Sequence, residues 1–105
     1  MTVTLPRMTL SETQKKYLRG LGHHLKPVIV VGDGGLSDAV VKEFESTINH
    51  HELIKVRIRA GDRETRDGII LKLCDQNTLL VTRIGNVALI FRRNAEKPRI
   101  NLPRR

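Results

Sequence analysis

Between Lys26 and Val40 the chain reads KPVIVVGDGGLSDAV, and few folds can accommodate that stretch. The β-branched run Val28-Ile29-Val30-Val31 reads as a buried strand, with Pro27 at its entry, where a missing N–H is tolerated. The four-residue loop Gly32-Asp33-Gly34-Gly35 follows, and an amphipathic helix opens at Leu36 or Ser37. A strand that feeds a helix through so short a loop belongs to α/β architecture. The same order builds a site. Bare backbone N–H groups face whatever lies above the loop, and the helix N-terminus adds partial positive charge, so an anion such as phosphate is the natural guest.

The flanking segments supply the rest of an α/β domain. Ser11-Glu12-Thr13-Gln14 fits a capping box that starts a helix running to about Leu21, with Tyr17, Leu18 and Leu21 on its apolar face. A second helix spans about Ser37 to Asn49, where Leu36, Val40, Phe44 and Ile48 recur every four residues. Leu53 to Arg59 alternates as a strand, with Ile54, Val56 and Ile58 on one face and Lys55, Arg57 and Arg59 on the other. The first helix is a candidate cover for that second face. Asp62 is placed to cap a third helix, about Arg63 to Cys74, which buries Ile69, Ile70 and Leu73. Gly68 weakens that helix by about 1 kcal/mol relative to alanine. Thr78 to Ile84 and Val87 to Phe91 flank the hairpin turn Gly85-Asn86. The expected fold is a compact two-layer α/β domain in the order α-β-α-β-α-β-β, with a four-stranded mixed sheet.

Right-handed crossover makes the first two strands parallel. Their following loops, Gly32–Gly35 and Ala60–Arg63, then share one edge of the sheet, where Arg59 and Arg63 become cations beside the glycine loop. Ligands of open α/β sheets favour that edge.

The chain's 105 residues suffice for one domain. Its net charge of +8 is concentrated at the ends: residues 36–91 balance, whereas residues 92–105 carry six basic side chains against Glu96 alone. Such placement suits a polyanion. The single cysteine, Cys74, permits no internal disulfide, no apolar run is long enough for a membrane span, and MTVTLPRMTL lacks the apolar core of a secretory signal; the expected compartment is a reducing cytoplasm.

Three kinds of phosphate site begin with a strand and a glycine loop. A Walker loop requires GxxxxGK[ST], which is missing here. A dinucleotide fingerprint requires GxGxxG and an acid after the second strand, where this chain has Arg57 and Arg59. Gly32-x-x-Gly35 fits the third, the GxxG clamp of KH-type modules, which lets a nucleic-acid backbone approach closely. The alternative is a tight turn that needs glycine only for positive φ. Tyr17, Phe44 and Phe91 are too few, and two of them too core-like, for a sheet that stacks bases on aromatics. Adjacent histidines in His23-His24 and His50-His51 point apart and lack a third ligand, so no metal is expected. No triad-like arrangement suggests catalysis. A small nucleotide-binding regulator and a basic adaptor for an acidic protein stay open as other readings.

The segments LRGLGHHLKPVIVVGDGGLSDAV and HHELIKVRI, with the hairpin and the ending KPRINLPRR, closely resemble the CRM domain family, in particular its bacterial stand-alone YhbY-like branch. The resemblance spans roughly residues 10–103. It implies a non-catalytic RNA-binding domain without cofactor, related in fold to the C-terminal domain of translation initiation factor three. It also implies an association with precursors of the large ribosomal subunit; plant-organelle relatives assist intron splicing. The family's RNA-facing loop falls on Gly32, Asp33, Gly34 and Gly35, its basic residue ahead of the first strand on Lys26, and its HELIKV segment begins at His51. Many family loops carry a basic or neutral residue where this chain has Asp33, a carboxylate that Lys26, Arg59 and Arg63 would have to offset. Lys15 and Arg19 of the first helix, with Arg104 and Arg105 of the tail, complete the expected RNA contacts. The expected organisation is a loose arm over residues 1–9, the binding domain over 10–93 and a basic, extended tail over 94–105, monomeric when free.

Overall fold

Strand pairing fixes the architecture. The computed structural model describes residues 9–32, 34–74 and 78–104. Its elements are α1 (Glu12–Gly22), β1 (Pro27–Val31), α2 (Asp38–His51), β2 (Leu53–Ile58), α3 (Arg63–Leu73), β3 (Thr78–Ile84) and β4 (Val87–Arg92), the expected order. The sheet runs β1-β2-β4-β3, with β1 parallel to β2 and β4 antiparallel to both β2 and β3. β1, β2 and β3 are therefore all parallel. The two right-handed crossovers advance in one direction across the sheet, so α2 and α3 lie on the same face. All three C-terminal strand ends meet one edge.

Local chemistry sets the helix starts. Ser11 Oγ accepts the Gln14 N–H at 3.2 Å while the Ser11 N–H donates to Gln14 Oε1 at 3.0 Å, the expected capping box. Ser37 Oγ accepts the Val40 N–H at 3.2 Å and caps α2. Asp62 occupies the N-cap of α3, but its side chain makes no cap hydrogen bond, contrary to expectation. Its backbone is extended (φ −135°, ψ 161°), like that of the two serine caps, so residue type and local conformation alone do not make the cap bond.

The main core lies between the sheet and α2/α3. Ile29, Val31, Ile54, Val56, Ile58, Ala88 and Ile90 meet Phe44 and Ile48 of α2 and Ile69, Ile70 and Leu73 of α3. A smaller cluster occupies the far face, where Leu18 of α1 packs on Leu53, Val81, Leu89 and Phe91. A bulge in β3 around Val81 turns an extra side chain towards this cluster. The helix sits close to the sheet: a Cβ on Gly22 would stand 2.7 Å from a Leu89 methyl. The apolar face expected for α1 is narrower in the structure. Tyr17 and Leu21 are 42% and 37% exposed, because α1 meets the sheet only along Leu18 and Gly22.

The end of the chain is built into this face. Ile100 and Leu102 pack against the smaller cluster, and Gln14 Nε2 donates to the Pro103 carbonyl at 3.0 Å. Glu52, wholly buried at the end of α2 with φ +65°, holds the tail. Its carboxylate accepts N–H groups from Asn94 (2.7 Å), Arg99 (2.6 Å) and Ile100 (2.8 Å), and its carbonyl accepts that of Arg92 (2.8 Å). Arg92, counted with the tail's charge in the sequence, instead ends β4 as a structural group. Its guanidinium donates to both Glu45 carboxylate oxygens, to Thr78 Oγ1 at 2.7 Å and to Asn49 Oδ1 at 3.3 Å. Of the expected arm, only Thr9 falls within the described residues.

Candidate functional site

The glycine loop stands where β1 hands over to α2. The Gly35 N–H donates to the Gly32 carbonyl at 3.0 Å, closing a four-residue turn, and Gly35 takes φ +73°, a conformation that favours glycine. Neither positive φ nor tight packing calls for glycine at Gly32 and Gly34. A Cβ on either would find no atom within 4 Å. Those two positions leave the backbone bare towards open space, at the positive end of the capped helix α2. Asp33 lies outside the described residues.

Three more segments converge on this edge. Arg59 N–H donates to the Val31 carbonyl at 2.8 Å, which binds the β2 exit to the residue before the loop. Ile58 N–H donates to the Asn86 carbonyl at 2.7 Å, which brings in the Gly85-Asn86 hairpin. Arg63 opens α3 and pairs weakly with Asp67 at 3.8 Å. Gly32, Gly34, Gly35, Arg59 and Arg63 thus share one edge, as the topology required.

Two further arginines join them without having been singled out in the sequence. Arg66 Nη1 donates to Asn86 Oδ1 at 2.9 Å, while Arg83 Nη1 donates to the Gly85 carbonyl at 3.3 Å and Arg83 Nε faces Asp67 at 3.8 Å. Arg83 precedes the turn by two residues and Arg66 lies one helical turn into α3; the signal was their spacing from elements already located. The edge is not strongly positive, however, because Asp38, Asp62, Glu64 and Asp67 belong to the same helix starts. It offers short-range donors more than long-range attraction.

The other residues expected to touch RNA lie elsewhere. Lys26 precedes β1 at its opposite end, about 16 Å from the loop at the usual strand rise. Lys15 and Arg19 belong to α1 on the far face, Lys15 facing Glu12 at 3.7 Å. Arg104 follows the Pro103 carbonyl bound by Gln14, near the start of α1. Arg105 lies outside the described residues. α1 leaves Lys55 half-buried and Arg57 exposed, so these two cations join Arg19 on a positive far face. Among the described residues no group of three or more His, Cys, Asp or Glu comes together to hold a metal ion, and no helix is long and apolar enough to cross a membrane.

Known proteins share both sequence and fold with this chain. A Haemophilus influenzae protein named "RNA-binding protein" is 43% identical over 92% of this chain and 98% of its own length. "Probable RNA-binding protein PA4753" of Pseudomonas aeruginosa is 44% identical over 90% of this chain and 91% of its own. The solution structure of the Staphylococcus aureus protein SAV1595 superposes with a TM-score of 0.75 at 31% identity, covering 90% of this chain and all of the other. Residues 10–92, from the α1 cap to the end of β4, match the CRS1 / YhbY (CRM) domain, and the chain belongs to that family.

Proposed function

We propose that the protein binds RNA without catalysing a reaction on it, and that it acts in assembly of the large ribosomal subunit on precursor ribosomal RNA. The observation that carries the binding reading is the open glycine loop: Gly32 and Gly34 bear no side chain although nothing around them excludes one. Backbone N–H groups there, reinforced by the start of α2, suit a phosphodiester that approaches closely. Arg59 and Arg63 supply adjacent cations, Arg19 adds one on the far face, and Lys15, Lys26 and the tail supply attraction at longer range. The RNA-binding names of the relatives support the same reading. Large-subunit precursor RNA is the partner implied by the resemblance to the bacterial YhbY-like branch, and it places the work in the cytoplasm.

Gly34→Asp tests the loop. A Cβ meets nothing there, so the domain stays folded, while a carboxylate is set against phosphate. Affinity for a structured fragment of large-subunit precursor RNA is expected to fall about tenfold, the worth of one charge-assisted hydrogen bond. Unchanged affinity by fluorescence anisotropy would remove the loop from the interface. Ultraviolet crosslinking of the tagged protein in cells tests the partner. Reads concentrated in large-subunit precursor RNA are expected; enrichment of other structured RNAs would overturn the assembly role.

A further inference from the structure

The far face of the sheet is only half covered. Beyond α1 it opens into a groove of about 330 Å³, within the range of about 300–1,000 Å³ typical of small-ligand sites. Strand register organises its floor into two cross-strand rows. In one, Arg57, Val87 and Ile84 lie side by side across β2, β4 and β3, and Val30 of β1 continues the row just outside the groove lining. In the next, Pro27, Lys55, Leu89 and Thr82 do the same. Each row carries one cation between apolar neighbours, and Arg19 adds a third from the α1 wall. Among the described residues no carboxylate lines the groove. Ile84 and Val30 are 77% and 49% exposed, a large apolar surface to leave in water beside such charges.

These features call for a ligand with flat apolar faces and regularly spaced negative charge. We infer that the groove is a second RNA subsite, which takes unpaired nucleotides of a single-stranded segment: phosphates on Arg19 and Lys55, base planes on the Arg57 guanidinium and the Val30–Val87–Ile84 row. The inference rests on the RNA-binding reading and deepens it. Arginine planes stack on bases as aromatic rings do, which answers the shortage of aromatics in this chain. The groove is also continuous with the glycine-loop edge, since Ile84 and Val87 flank the Gly85-Asn86 turn. An acidic peptide fits less well, because a sheet face offers its backbone no hydrogen-bond partners, whereas a nucleobase buries one apolar face and keeps its polar edge in water.

The test uses the full chain and a fluorescein-labelled single-stranded RNA of about ten nucleotides, within the site size of small single-strand binders. A second oligonucleotide keeps every phosphate but has abasic ribose at its central positions. The intact strand is expected to bind about fivefold more tightly, at the low end of what base stacking supplies. Arg57→Ala should reduce that preference to less than about twofold, and Arg57→Lys should lose most of it while keeping the salt dependence of binding. Ile84→Glu, on an exposed side chain, should act like Arg57→Ala. Equal affinity of wild type for the two oligonucleotides would overturn the subsite. So would unchanged preference in both Arg57→Ala and Ile84→Glu, or displacement of the oligonucleotide by a polyglutamate peptide at similar concentration. If neither oligonucleotide nor the structured precursor fragment binds, the RNA reading itself fails. Binding of the fragment, weakened by Gly34→Asp but indifferent to the groove variants, would sink the subsite alone.

Discussion

The two ends of the sheet use the same residue types in opposite ways. Where β2 begins and β4 finishes, charge is satisfied inside the protein. Glu52 is wholly buried yet its carboxylate receives three backbone N–H groups, and Arg92 divides its donors among Glu45, Thr78 and Asn49 with the Phe44 ring 5.9 Å beneath it. At the other end Arg63 reaches Asp67 only at 3.8 Å, and the glycine loop leaves its backbone bare. A group whose bonding capacity is filled holds the fold, whereas unused capacity is available to a ligand. Arginine alone therefore marks neither role; the partners decide.

The largest expected effect lies at the filled end. Glu52→Ala removes the acceptor of three N–H groups, each costing about 1–3 kcal/mol if left buried and unpaired. Water can reach them if the tail detaches, which limits the loss to about 3 kcal/mol. Urea unfolding measures the change, and limited proteolysis should show new cleavage within residues 94–104. An intact, protease-resistant tail in the variant would mean that Ile100 and Leu102 hold it without Glu52.

Arg92→Leu comes next, at about 2 kcal/mol, since it breaks a bidentate pair and strands Thr78. It also carries a pH signature. Hydrogen bonding from Arg92 holds the Glu45 carboxyl below its ordinary value, against a smaller opposing push from burial. A carboxyl depressed in the folded state contributes stability above its unfolded pKa and loses it as pH falls through the folded one. Wild type should therefore lose stability on the acid side more steeply than Arg92→Leu. Parallel acid-side curves would show the pair to be without net effect.

Gly22→Ala addresses the boundary between the closed half of the far face and its open groove. The added methyl meets buried Leu89, which has little room to yield, so a loss of about 1 kcal/mol is expected in thermal unfolding. No loss would mean that α1 can lift from the sheet at little cost.

Short-range signals in the sequence located most of this molecule. The Ser11/Gln14 box, the Gly85-Asn86 turn and the four-residue spacing of Phe44 and Ile48 involve neighbours within one or two turns, and the crossover rule then carried Arg59 and Arg63 to the glycine loop. What the sequence hid depends on distant partners. Glu52 bonds to residues more than forty positions away, and in the string it is one acid among eleven. Tyr17 and Leu21 have helical spacing, but the string does not say how much sheet α1 meets. Asp62 has the right identity and position for a cap, yet its side chain makes no cap bond, which residue type alone does not reveal. In the same way Arg92 looks like tail charge until its acceptors on α2 and β3 are seen.

The smallest expected effect concerns the charge that remains to the tail. Arg104 follows Pro103, whose carbonyl is fixed by Gln14, so this cation stands near the start of α1 while the tail is docked. It makes no ion pair among the described residues, and under the proposed function it would attract phosphate from a distance. Replacing Arg104 and Arg105 by alanine should leave unfolding within about 0.5 kcal/mol of wild type. Affinity should drop by a similar factor on all RNAs, and the log–log salt slope should flatten by about 0.7 for each single-strand phosphate no longer neutralised. Glu52→Ala provides the sharper comparison. If docking directs these cations, releasing the tail should flatten the slope as much as deleting them. If the released tail keeps the full slope, its charge acts without being held, and the filled end of the sheet serves stability alone.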